Sequence, residues 1–145
     1  MVNMPELSFE QWALIADIYT PVLVVISLRL LYLSSGDPRK ADIKALLATT
    51  AVVYASMLLD DYLSIWPTFN ADYSTHSGIA LVFVAHIVVK SAWRARMLAI
   101  GSLLAYLQLM HHQHYHTYLD MSSTLVYLLP LFWLTWRQFA PKRAD

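Results

Sequence analysis

The chain contains no cysteine, which excludes disulfides, thiolate chemistry and cysteine-ligated metals and leaves the redox compartment open. Charge is scarce as well. Charged residues make up 14% of the 145 positions, against about 25% in soluble globular domains. Ten basic residues balance ten acidic ones, so there is no net positive field to hold nucleic acid. No repeat, low-complexity tract or interdomain linker is visible, and residues 1–145 read as one domain. Before Arg29 the only charged residues are Glu6, Glu10 and Asp17. The basic leader of a cleavable signal is missing, and none is expected.

Apolar residues fill the gap. They reach 58% of the chain, against about 45–50% in soluble domains, and they fall in long runs rather than amphipathic stripes. An all-α membrane bundle is the expectation. Five spans are predicted, at about 12–32, 45–66, 77–93, 97–112 and 118–136. A helix rises about 1.5 Å per residue and the hydrocarbon layer is about 30 Å thick, so the third and fourth are short for full spans.

With five spans, the basic residues collect on one side. Arg39, Lys40 and Lys44 follow the first span, Lys90, Arg94 and Arg96 the third, and Arg137, Lys142 and Arg143 the fifth. Arg29 lies close enough to the end of the first to reach the same side. The positive-inside rule makes that side cytoplasmic and puts the N-terminus outside. From the small size, a bacterial inner membrane is expected, with the opposite loops facing the periplasm. Trp12 and Trp66 on one side, and Trp93, Trp133 and Trp136 on the other, fit interfacial belts.

The outer loops carry different chemistry. Between Asp60 and Asp120 they hold five of the six histidines and no Lys or Arg. His116 and Asp120 are four apart at a helix start and share a face, where a carboxylate can hold an imidazole in one tautomer. Ser74 or Thr75 is suited to cap the third span beside His76. A helix N-terminus favours a bound anion, so two histidine-bearing helix starts could converge on one lipid headgroup. His86, in the middle of the third span, is expected to hydrogen-bond between helices. Asp17 is equally open as a carboxyl reaching to the interface or as a partner for an outer histidine.

These residues resemble a family. Tyr73-Ser74-Thr75-His76-Ser77 looks like the Pro-Ser-Gly-His-Ser motif of type 2 phosphatidic acid phosphatases, and His116-Thr117-Tyr118-Leu119-Asp120 like their His-x-x-x-Asp motif. The sphingomyelin-synthase branch is more similar. Its second motif, His-Asp-His-Tyr-Thr-x-Asp, is matched by the His-x-His and His-x-x-x-Asp of His114 to Asp120, and its first is echoed by Asp72-Tyr73-Ser74-Thr75-His76. The likeness covers about residues 50–137. The phosphatases' basic clamp is replaced here by Asp60-Asp61, Trp66-Pro67 and Met110; the sphingomyelin-synthase branch also lacks the basic motif. The resemblance implies a lipid phosphatase or phosphotransferase acting through a phosphohistidine. His116 would be the nucleophile, Asp120 its orienting partner, and His76 the acid for the leaving alcohol. Ser74, Thr75, His114 and Tyr115 would lie against the substrate. No cofactor is implied; the partner is a membrane lipid, and a homo-oligomer could complete a bundle lacking the family's first span.

Two other readings stay open. His112 and His116 are also four apart, and with His76 and Asp61 they could ligate zinc in a membrane hydrolase of the ceramidase type. A non-catalytic membrane subunit could instead use its histidines to sense pH.

Overall fold

The computed structural model describes residues 7–139, which form five α-helices and no strand. Helix α1 spans Phe9–Leu33, α2 Gly36–Leu63, α3 Thr75–Lys90, α4 Trp93–His112 and α5 Tyr118–Phe139. Glu6, Lys142 and Arg143 lie outside the described residues.

Each helix boundary has a local cause. At the start of α1 the Ser8 hydroxyl accepts from the Gln11 amide at 3.2 Å and Gln11 Oε1 accepts from the Ser8 amide at 2.8 Å, a reciprocal capping box. Only Ser34 and Ser35 separate α1 from α2. Gly36 opens α2 at φ +62°, the left-handed conformation that glycine adopts without penalty. Arg39 then reaches back over this turn to the carbonyls of Tyr32 and Ser34. Helix α2 therefore begins nine residues before the expected position 45. The charged stretch 37–44 is helix rather than loop: Arg39 closes its turn, and Asp42, paired with Lys90, continues the buried face of Ala45, Thr49 and Val53.

Helix α3 sits at the centre and packs on each of the other four. It is short, at 16 residues, or about 24 Å. Its only exposed large apolar side chain is Val89, near its end. Gly78 lets α2 and α5 close on it: a Cβ there would stand 3.0 Å from Val53 Cγ1 and 3.1 Å from Leu128 Cδ1. The interior is rich in small and hydroxylated residues. Ser27, Ala45, Thr49, Ser77, Ala80 and Thr124 are all essentially buried. Thr49, Ser56 and Thr124 return their hydroxyls to carbonyls on their own helices, so these groups are satisfied without water.

The outward faces are the reverse. Val25, Leu47, Leu98, Leu104 and Val126 each expose more than 60% of their surface. Two helices, α1 and α2, are long and apolar enough to cross a membrane.

The expected segregation of loops appears as two ends of the bundle. Asp17, Tyr54, His76, Tyr106 and Tyr115, from α1, α2, α3, α4 and the loop after it, line one cavity. Asp42, Lys90 and Arg137, from α2, α3 and α5, line another. Trp66 departs from its expected interfacial place. It is buried at the start of a short 3₁₀ turn, Trp66–Phe69, with its indole edge-on to Tyr73 and Tyr127 and its Nε1 donating to Ser123 at 2.9 Å. The chain between α2 and α3 folds back over the bundle end, and an indole fills the space beneath it.

Candidate functional site

Two helix starts build the histidine end. Ser74 caps α3: its hydroxyl accepts from the Ser77 amide and lies 2.7 Å from the Ser77 hydroxyl, while its own amide donates to Thr124 at 3.0 Å. Fully buried and spent on these bonds, Ser74 positions His76 two residues on and has no surface to offer a substrate. Thr75, the first residue of α3, lines the cavity beside His76.

Helix α5 is capped by a reciprocal pair. The Thr117 amide donates to Asp120 Oδ2 at 2.7 Å, and the Asp120 amide donates to the Thr117 hydroxyl at 3.2 Å. The second carboxylate oxygen accepts from the Asp72 amide at 2.9 Å. Asp120 thus ties the loop before α3 to the start of α5. His116 Nδ1 lies 3.7 Å from Asp120 Oδ2, an ion-pair distance too long for a hydrogen bond. Both side chains are about nine-tenths buried.

This tie brings His76 and His116 together, with ring centroids 6.1 Å apart and planes inclined at 54°. The rings open on adjoining spaces rather than on one. His76 lines the cavity of about 340 Å³ that holds Asp17, Tyr54 and Tyr106. His116 lines a smaller one of about 180 Å³ with His111, His114 and Asp120. Tyr115 stands between and lines both. Burial pushes the His116 imidazole below its ordinary pKa; Asp72 and Asp120 oppose that shift and His76 adds to it. His116 is therefore neutral at pH 7.

Of the remaining expected residues, His111 and His114 stay on the wall of the His116 cavity and His112 and Asp61 do not join it. His114 sits at φ +59° in the turn after α4, which swings the chain back toward α5. His111 stacks on Tyr118 at 3.9 Å between centroids and helps hold that turn. Because α4 ends at His112, the i, i+4 geometry assumed for His112 and His116 does not form. His112 lies in a groove with Trp12 on another face. Asp61 is exposed, and Asp60 accepts from the Trp66 amide at 2.8 Å to hold the 3₁₀ turn. Among the described residues no three His, Asp or Glu side chains converge as a metal set, so the quartet His76, His112, His116 and Asp61 is not assembled. His86 also differs from expectation. It is fully buried, makes no hydrogen bond through either ring nitrogen, and stacks at 5.7 Å on Trp136.

Asp17, open from the sequence as a partner for an outer histidine, shares the His76 cavity with Tyr54 and Tyr106. The second role of Asp120, as a tie to Asp72, left no trace in residue spacing. No family model, curated protein or solved structure matches the chain.

Proposed function

We propose that the protein is a membrane-embedded bundle whose histidine end transfers or hydrolyses a phosphoryl headgroup on a lipid. The large apolar side chains on the outward faces of α1, α2, α4 and α5, over an interior of small and hydroxylated residues, support placement in a bilayer. Enclosure of α3 by the other helices explains how 16 residues suffice there. A helix wrapped in protein need not match the lipid thickness along its whole length. The positive-inside rule turns the histidine end away from the cytoplasm, toward the periplasm in a bacterial cell.

The observation that carries the chemistry is the His76–His116 separation of 6.1 Å. An attacking nitrogen stands about 3–3.5 Å from its target, and a general acid about 2.6–3.2 Å from the oxygen it protonates. At this separation both rings can reach a single phosphoryl group, one toward phosphorus and the other toward the leaving oxygen. On this reading His116 carries its proton on Nδ1, the nitrogen 3.7 Å from Asp120 Oδ2, and the lone pair on Nε2 is free. Nε2 attacks phosphorus and the bond to the lipid alcohol breaks. His76, protonated, gives its proton to the departing oxygen. Water or an acceptor alcohol then attacks the phosphohistidine while neutral His76 takes up the proton, and His116 is restored. Tyr115, between the two spaces, is placed to orient the headgroup.

The test is turnover of mixed phospholipid vesicles by the reconstituted full chain. His116→Ala and His76→Ala should each lower phosphate or headgroup release at least about 100-fold, the usual scale for losing a nucleophile or general acid. Acid-labile phosphate should label the wild type and not His116→Ala. Retained turnover in both variants rejects the assignment.

A further inference from the structure

The basic end of the bundle holds a second, separate space of about 300 Å³ between the start of α2 and the ends of α3 and α5. Its polar lining is Asp42, Lys90 and Arg137, and its walls include Trp133 and Trp136. Lys90 Nζ is 2.8 Å from Asp42 Oδ2, and this pair is largely buried. The Arg137 guanidinium lies 5.3 Å from the centre of the Trp133 ring, a cation–π contact, and has no carboxylate partner among the described residues. Among the described residues that line it, one carboxylate stands against two cations, which leaves one positive charge unmatched. Beside it, Trp136 Nε1 is buried with no hydrogen-bond partner, and stacking on the buried His86 fixes the plane of that indole.

We propose that this space binds the phosphodiester of an anionic phospholipid of the cytoplasmic leaflet. One unmatched cation suits a phosphodiester monoanion. Arg137 and a spare Lys90 donor would hold its oxygens, the idle Trp136 N–H would donate a further bond, and acyl chains would follow the apolar flank past Val89 and Trp133. A zwitterionic lipid brings the same phosphate but adds a quaternary ammonium that would meet Arg137 with like charge. The inference rests on the membrane placement, not on the chemistry at the histidine end.

The experiment titrates the detergent-solubilised full chain with phosphatidylglycerol or phosphatidylcholine of identical chains and reads bound lipid by native mass spectrometry. Phosphatidylglycerol should be retained at least about fivefold more strongly, the value of one cation near an anionic headgroup. Arg137→Gln, at an exposed position, should abolish the preference. Trp136→Phe, which removes only the N–H and keeps an aromatic wall, should reduce it. His116→Ala should leave it intact, which separates this site from the proposed reaction. Equal retention of the two lipids overturns the proposal, as does a preference indifferent to both Arg137→Gln and Trp136→Phe. Equally strong binding of soluble glycerophosphoglycerol makes this a free-anion site and overturns it too. Flotation with neutral vesicles tells failure of the site from failure of the membrane placement: a chain that floats yet shows no lipid preference is membrane-bound without the site.

Discussion

Replacing Asp120 with Asn separates the structural and chemical roles of one carboxylate. In the wild type its two oxygens accept from the amides of Thr117 and Asp72, at 2.7 and 2.9 Å. Asparagine keeps the shape but only one oxygen, so its NH₂ must face one of these N–H groups, donor against donor. Both bonds are part-buried; leaving a donor short of its partner costs about 1–3 kcal/mol when it is shielded from water, and loss of a helix cap typically costs about 1 kcal/mol. Because one of the two bonds is itself the cap, these figures overlap, and about 2 kcal/mol is the expected loss. For a chain of this size 1 kcal/mol moves the melting temperature by about 2–4 °C, so Asp120→Asn should melt about 4–8 °C below the wild type. Melting is followed by circular dichroism in one fixed detergent. His116→Ala is the necessary companion. That ring's Nδ1 makes no hydrogen bond, but its side chain is about nine-tenths buried, so this variant loses ring packing and turnover while keeping the tie between α5 and the loop. If Asp120→Asn melts within about 1 °C of the wild type, the carboxylate does not tie α5 to the preceding loop and the account of how the two histidines are brought together is wrong.

Two further outcomes follow from the same geometry. The folded His116 pKa lies below the unfolded value of about 6.5, so the folded state binds fewer protons between the two. The stability contribution is complete above about pH 6.5 and is lost as pH falls toward the folded pKa; melting temperature and turnover should both drop on that acid side, and the melting component should vanish in His116→Ala, with Asp72, Asp120 and His76 the charged or titratable groups around the ring. In the second case, two glycines should respond with opposite signs. Gly78→Ala gains about 1 kcal/mol of helix propensity but drives a methyl against the buried Val53 and Leu128 at 3.0 and 3.1 Å, and overpacking costs about 1–3 kcal/mol. Gly101→Ala, with nothing within 4 Å of its new Cβ, should be neutral or stabilising, and the same melting assay decides both.

Residue order alone located all five helices, because each contains a long, mainly apolar run set off by polar breaks. It also paired His76 with His116, because both lie at helix starts on the same side of an up-and-down order. What it missed has one physical origin: contacts made across the fold do not show in local composition. Charged residues 37–44 looked like a loop, yet Arg39 closes the turn onto Ser34 and the helix begins at Gly36. His112 looked like a partner for His116, but a backbone reversal at His114 breaks the helical register on which that spacing relied. Trp66 looked interfacial, and only packing against Tyr73 and Tyr127 draws it inside.

The same central helix bears on whether the two ends act together. His76 lies in the first turn of α3 and Lys90 is its last residue; fourteen residues of helix at about 1.5 Å each put them about 21 Å apart. No single headgroup spans that distance, so any influence of the basic end on the histidine end must pass through α3 itself. Gly78 sits one turn from the His76 end, closely packed by Val53 and Leu128, and leaves α3 little freedom to slide against α2 and α5. A rigid strut between two independent sites is therefore the arrangement expected. Substitutions at Arg137 should change lipid retention without changing turnover, and substitutions at His116 the reverse. Coupled loss in both directions would require a second packing of α3, which the close contacts at Gly78 disfavour.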